Sequence, residues 1–321
     1  MTDLITTDPA AIAAQIQATA DRATDYRAKA KAANTLAAYR ADWNDFTTWC
    51  TRHTLESLPA TPATVTLYIT DLAERCKPST ITRRLATISQ AHQQAGHATP
   101  TIAPIVRDVL QGIKREKGTA PAAKAAAVTA IIRAMVDTLD PDLKGTRDRA
   151  LILIGFAGAF RRSELVTLTV ADVQFTNDGL VVKLQRSKTD QEGAGETKGI
   201  PYGSTPATCP VRALRAWLEA AGIVAGPIFR PINRWSQVQP RQLSDHAVAV
   251  IVKQLAARAG YDPAAFSGHS LRAGLATAAA AAGAAYHAIK KQTGHRSDQV
   301  LQRYIRDGSL FRDNAAAKVG L

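Results

Sequence analysis

The stretch "VQFTNDGLVVKLQRSKTD", residues 173–190, decides the fold class. Two β-rich runs flank Asn177-Asp178-Gly179, which is turn chemistry for joining antiparallel strands. A third short run, "TKGIPYG" at 197–203, extends the same sheet. Both flanks of this region read as helix. The expected fold is therefore mostly α: an all-helical amino-terminal domain followed by an α+β domain of helices around a small antiparallel β-sheet.

Working outward toward the amino terminus, "TLAAYRADWNDFTTWC" places Leu36, Tyr39, Trp43, Phe46 and Cys50 at steps of three and four, which predicts one buried helical stripe. "TPATVTLYITDLAERC" opens on Thr-Pro, a helix entry, and "KPSTITRRLATISQAHQQAG" opens similarly, with Ile81, Leu85 and Ile88 directed inward. "TIAPIVRDVLQGIKREKG" ends a further helix on basic residues. Then "GTAPAAKAAA", 118–127, carries Gly and Pro and no apolar stripe, which marks a linker. The expected division is a helical domain over 1–117, the linker, and a second domain over 128–321. That second domain closes on a short helix in "SLFRDNAAAKVGL", with Phe311, Ala315 and Val319 along one edge.

The chain has 321 residues and a formal net charge of +13, shared between both domains: 15 basic against 11 acidic side chains before residue 128, and 25 against 16 after it. Such an excess favours a polyanionic partner, with nucleic acid first among them. No apolar run spans a bilayer, and the opening "MTDLITTDPAAIAAQ" is too polar for a secretory leader. Cys50, Cys76 and Cys209 are scattered, without metal-type spacing, as expected of a cytoplasmic, reducing compartment.

Five places in the second domain carry more chemistry than packing asks for. They are Arg161, Arg162 and Glu164 in "GAFRRSEL"; Lys188 at the expected hairpin tip; His269 and Arg272 in "SGHSLRAG"; His295 after Gly294 in "TGHRSD"; and Tyr304 in "LQRYIRDG". Each alone has a plainer reading: a solvated helix-end charge, a soluble turn, a helix C-cap, an aromatic on an apolar stripe. Together they are what a metal-free phosphodiester site needs. Arginine presents a planar fork matched to phosphate oxygens and keeps its charge. Lysine can protonate a leaving alkoxide, histidine moves protons near neutrality, and a tyrosine hydroxyl can attack phosphorus and store the bond as an ester.

In order and in spacing these residues resemble the tyrosine recombinase (phage integrase) family, over nearly the whole chain. The family's "R-x-S-E-L" setting matches residues 161–165, with Arg161 as its arginine; its hairpin lysine matches Lys188, its "H-x-x-R" box His269 and Arg272, its "G-H" His295, and its nucleophile Tyr304. The resemblance implies site-specific DNA recombination through a 3′-phosphotyrosyl intermediate and a four-way junction, with no metal or other cofactor. Arg161 and Arg272 would clamp the scissile phosphate, Lys188 protonate the departing 5′ oxygen, His269 assist proton transfer at the tyrosine, and His295 donate to phosphate. Glu164 would orient Arg161 or a neighbouring histidine. Partners would be a double-stranded recombination site and three further copies of the chain, assembled as a homotetramer on DNA from monomers, with the final helix docking in cis or in trans. Arg83, Arg84, Lys114, Arg115, Lys117 and Arg162 are the candidate DNA-backbone contacts. Two rival readings share the basic surface: a type IB topoisomerase with the same chemistry, and a catalytically idle DNA-binding protein.

Overall fold

A computed structural model describes residues 9–29, 33–119, 124–184, 195–295 and 297–308. The chain divides into two compact units, Met1–Pro121 and Ala122–Leu321.

The first unit is helical: α1 (Pro9–Lys29), α2 (Ala33–Arg52), α3 (Pro62–Arg75), α4 (Pro78–Gln94) and α5 (Pro104–Lys117). The Thr-Pro entry works as expected. Thr61 caps α3 by accepting from the Thr64 N–H at 3.1 Å, while Pro62 takes the first helical position, where no N–H is needed. Phe46, Tyr68, Ile69, Leu72, Ile81 and Ile88 form the core, each almost wholly shielded from solvent. The α2 stripe is buried only along its carboxy-terminal half. Phe46 and Cys50 are inside, Leu36 lies outside, and Trp49 enters the core instead, donating Nε1–H to Asp71 at 3.1 Å. Its ring meets Tyr68 at 5.3 Å between centroids. Aromatic area outweighs strict periodicity in choosing what is buried.

The second unit contains α6 (Thr129–Asp137), α7 (Leu143–Ala157), α8 (Arg162–Thr167), β1 (Val173–Phe175), β2 (Gly179–Leu184), β3 (Glu196–Pro201), α9 (Pro210–Ala220), α10 (Asp245–Arg258), α11 (Ser270–Ala281), α12 (Tyr286–Thr293) and α13 (Asp298–Gly308). The three strands pair antiparallel in chain order, with Val173 opposite Val182 and Val182 opposite Lys198. The Asn-Asp-Gly turn closes with the Gly179 N–H donating to Thr176 Oγ1. Helix α7 is buried on most of its surface, including Leu151, Ile152 and Ile154, and the core around it takes in Phe160, Trp217 and Phe229. The chain therefore surrounds α7, and whatever leaves its carboxy-terminal end does so from the middle of the unit.

Residues 124–127, within the stretch expected to be a linker, are held against this unit. The Ala125 and Ala127 N–H groups donate to the carbonyls of Ala265 and Ser270, and Ala127 is fully buried. Gly274 of α11 faces Ala127 so closely that a Cβ there would stand 2.1 Å from its carbonyl oxygen. The alanines of α11 do what the composition suggests: Ala276 and Ala280 pack with Ile289 and Leu301, which brings α13 against α11. Lys188 and the expected terminal helix over 309–321 lie outside the described residues. Among the described residues no helix is long and apolar enough to cross a membrane.

Candidate active site

The site is built at the end of α7. After Ala157 the chain turns through Gly158 and Ala159, the latter at φ +48°, and delivers Arg161 to the amino-terminal cap of α8. A left-handed alanine is mildly strained, and it is held here because Ala159 and Phe160 are both buried. Glu164, one turn on, accepts from the Arg161 backbone N–H at 2.9 Å and pairs with the Arg161 guanidinium at 2.5 Å. One buried carboxylate thus caps the helix and aims the arginine.

Arg272 comes from the first turn of α11 and is buried, donating Nη1–H to the Ala159 carbonyl at 2.8 Å. Burial pushes its pKa down to about 10, and the positive charge of Arg161 adds to that. Its Nη2 is buried and has no hydrogen-bond partner among the described residues. Two guanidiniums close enough to repel, one with an unspent buried donor, cost free energy until an anion reaches them.

His295 follows Gly294, which ends α12 in the left-handed conformation at φ +60°. Both Glu196 carboxylate oxygens approach Gly294 to 3.0 Å of where a Cβ would sit. The ring Nδ1 lies 2.8 Å from Thr293 Oγ1. Burial holds the His295 pKa down to about 4, with Arg272, Arg161 and Lys198 adding repulsion. Tyr304 of α13 is half-buried, its ring centroid 6.0 Å from that of His295, and it lies near enough to Arg272 to interact electrostatically.

Of the residues singled out by sequence, Arg161, Glu164, Arg272, His295 and Tyr304 therefore converge. His269 stands at the amino-terminal cap of α11, exposed, its backbone N–H donating to Ser267 Oγ at 3.2 Å, so the pair three residues apart divides into a buried arginine and a rim histidine. The aliphatic stem of Arg162 covers Gly268 and its guanidinium sits 3.7 Å from Asp245. In the first unit Arg83 is half-exposed and bonds Asp42 at 3.0 Å. Arg84 is largely buried, engaged by Asp42, by Asp45 and by the Tyr68 hydroxyl at 2.8 Å. Lys114, Arg115 and Lys117 line the last turn of α5.

The structure adds Lys198, Glu196 and Gln292 to the same neighbourhood. Lys198 is 2 % exposed and lies 3.7 Å from Glu196; burial pushes its pKa down to about 8, and the charges of Arg272 and Arg161 lower it further. A signal for it exists in "ETKGIP": strand alternation puts Lys198 on the same face as the core residue Ile200.

The "Phage integrase family" model matches residues 128–309. An integrase/recombinase XerD homolog of Selenomonas ruminantium is 45 % identical over 291 residues, covering 89 % of this chain and 85 % of that protein. The Cre recombinase of Escherichia phage P1 is 25 % identical over 280 residues, 81 % and 80 % of the two chains. Among solved structures, a lambda integrase dimer bound to a COC′ core site superposes with a TM-score of 0.60 at 15 % identity, over 94 % of this chain and 82 % of that one. XerH recombinase bound to palindromic difH substrate superposes at 0.58 and 14 % identity, over 81 % and 71 %. These two share the fold. With a family model over more than half its length and a near-full-length relative at 45 % identity, the chain belongs to the phage integrase family of tyrosine site-specific recombinases.

Proposed function

We propose that this protein cleaves and rejoins DNA strands at a defined site, storing each broken bond as a 3′-phosphotyrosyl ester. The observation that carries the reading is the pairing of part-buried Arg161 with buried Arg272, with an unspent donor on Arg272, beside His295 and the Tyr304 ring. A scissile phosphate between the guanidiniums relieves their repulsion, and the extra negative charge of the transition state is stabilised more than the ground state. The Tyr304 oxygen forms a bond to phosphorus as the bond to the 5′ oxygen breaks. The tyrosine proton passes to a histidine, His269 being the acceptor implied by the family, and Lys188 returns a proton to the leaving oxygen. His295 donates to a non-bridging oxygen once the phosphate's charge has made its ring basic enough to take up a proton. Reversal with a 5′ hydroxyl from a second duplex gives strand exchange and a four-way junction, worked by a homotetramer assembled on DNA from monomers. Arg83, Lys114, Arg115, Lys117 and Arg162 are the exposed or part-exposed cations offered to the DNA backbone.

Covalent capture tests this reading and finds the target sequence in the same step. The protein is incubated with a pool of nicked duplexes of randomised sequence, denatured, and the DNA that remains attached is sequenced. The wild type should enrich one inverted-repeat sequence attached through its 3′ phosphate, and Tyr304→Phe should retain duplex binding but capture nothing. Adducts with no enriched sequence, together with rapid relaxation of supercoiled plasmid, would point to a topoisomerase. Adduct formation by Tyr304→Phe would displace the nucleophile assignment.

A further inference from the structure

Lys198 occupies an inward-facing position of β3, where the alternation calls for an apolar side chain, and it is 2 % exposed. Burying an ammonium is costly unless its protons are matched. Here carbonyls from two other segments accept its protons, and a carboxylate from its own strand balances its charge. Nζ donates to the Gly158 carbonyl at 3.2 Å and to the Gln292 carbonyl at 2.6 Å, and Glu196 Oε1 lies 3.7 Å away. Its charge also stands over the Phe160 ring, 5.4 Å from the centroid.

The acceptors give the arrangement its meaning. Three successive carbonyls at the end of α7 each receive a donor from a different part of the chain: Ala157 from Gln292 Nε2 at 2.8 Å, Gly158 from Lys198, and Ala159 from Arg272. Ala157 and Gly158 carry carbonyls that the helix leaves unsatisfied at its carboxy-terminal end, where cations are also favoured, and Ala159 belongs to the left-handed turn that follows. Arg161 leaves from this turn two residues later, and His295 leaves α12 three residues after Gln292. Gln292 Nε2 further approaches the Gly199 carbonyl at 3.2 Å, which ties α12 to β3 a second time.

Resting on the recombinase reading above, we propose that Lys198 is a positioning residue for strand cleavage: from β3 it straps the turn that delivers Arg161 to the helix end that delivers His295. It is not a proton donor to the leaving strand, since its ammonium group is already committed to the Gly158 and Gln292 carbonyls and its charge is paired with Glu196. Gln292 is the second half of the same strap.

The test uses the full chain and a nicked duplex carrying the sequence enriched by covalent capture, so wild-type cleavage of that duplex checks the underlying reading first. Lys198→Met keeps the length of the side chain and removes its donors. It should lower single-turnover cleavage by ~10²-fold, the scale of an ångström-level misplacement, while changing duplex affinity by less than about threefold. Replacing the 5′ bridging oxygen by sulfur, a leaving group that needs no proton, should not recover the loss. Gln292→Leu, at a part-exposed position that tolerates an apolar side chain, should reproduce the same signature more weakly and keeps the test open if Lys198→Met fails to fold. Wild-type cleavage by either variant would overturn the proposal. So would recovery of Lys198→Met on the sulfur duplex, which would make Lys198 the proton donor.

Discussion

The Thr293 hydroxyl fixes which nitrogen of His295 carries the proton. Thr293 Oγ1 lies 2.7 Å from the Ile289 carbonyl and spends its single proton there, so at 2.8 Å it accepts from His295 Nδ1–H. In the neutral ring Nε2 is then a bare acceptor, and it becomes a donor only when the ring is protonated. Burial first, then Arg272, Arg161 and Lys198, hold that protonation down to about pH 4 in the free protein.

This has a stability consequence of definite sign. An unfolded histidine titrates near 6.5, above the folded value, so the unfolded chain binds the extra proton first as pH falls. The contribution is fully present above pH 6.5 and is lost progressively as pH drops toward 4. Melting temperatures of the wild type and of His295→Gln, measured between pH 7.5 and pH 4.5, should converge as pH falls. Parallel curves would contradict a depressed His295. Nitrogen NMR of the ring should also show the Nδ1–H tautomer in the free protein and an upward pKa shift when a duplex binds.

Removal of Arg161 or of Arg272 by alanine substitution should lower cleavage by at least ~10²–10³-fold, the range for one preorganised transition-state donor. Arg162→Ala should behave differently because its guanidinium faces Asp245. Its effect should fall on DNA affinity, with the salt slope reduced by about one, rather than on the rate of the bound complex. Equal kinetic losses for Arg161→Ala and Arg162→Ala would show that the register of the first arginine is shifted by one residue.

The neighbouring arginines of α4 should also separate. Arg83 is half-exposed, so Arg83→Ala should weaken duplex binding and flatten its salt dependence. Arg84 neutralises Asp42 and Asp45 inside the first unit, and Asp42 is only 4 % exposed. Arg84→Ala strands those carboxylates and should destabilise the unit by about 3 kcal/mol. Denaturant unfolding of residues 1–121 expressed alone, beside the full chain, would read this. An unchanged midpoint would mean that Arg84 is free to face DNA.

Two glycines should respond with opposite sign. A Cβ at Gly274 meets backbone atoms of Ala127 at 2.1 and 2.5 Å, which no rotamer relieves. Gly274→Ala should destabilise the second unit by about 1–3 kcal/mol and slow cleavage, since Arg272 rides on the same turn. Gly112, within α5, has nothing within 4 Å of a Cβ. Gly112→Ala should stabilise the first unit by about 0.5–1 kcal/mol through helix propensity alone. Thermal melts of the two variants check both signs.

The sequence by itself determined those features whose cause lies within a few residues. Asn177-Asp178-Gly179 makes its turn from its own backbone preferences, and Thr61-Pro62 starts α3 from its own cap. Gly294 ends α12 because only glycine enters the left-handed region without cost. The order of Arg161, Arg272, His295 and Tyr304 along the chain was equally legible, as was the α+β class. The tertiary structure alone decided everything whose partner is remote. It buried Trp49 in place of Leu36 because Tyr68 and Asp71 were there to receive it, and it drew Arg84 onto two carboxylates some forty residues away. It also seated Ala127, the last residue of the expected linker, against α11. Lys198 is the sharpest case. Its strand position was readable, but its acceptors on Gly158 and Gln292 are 40 and 94 residues distant, and only folding brings them within hydrogen-bond reach. Local propensity is a property of a few residues, whereas the matching of a buried charge depends on which segments the core brings together.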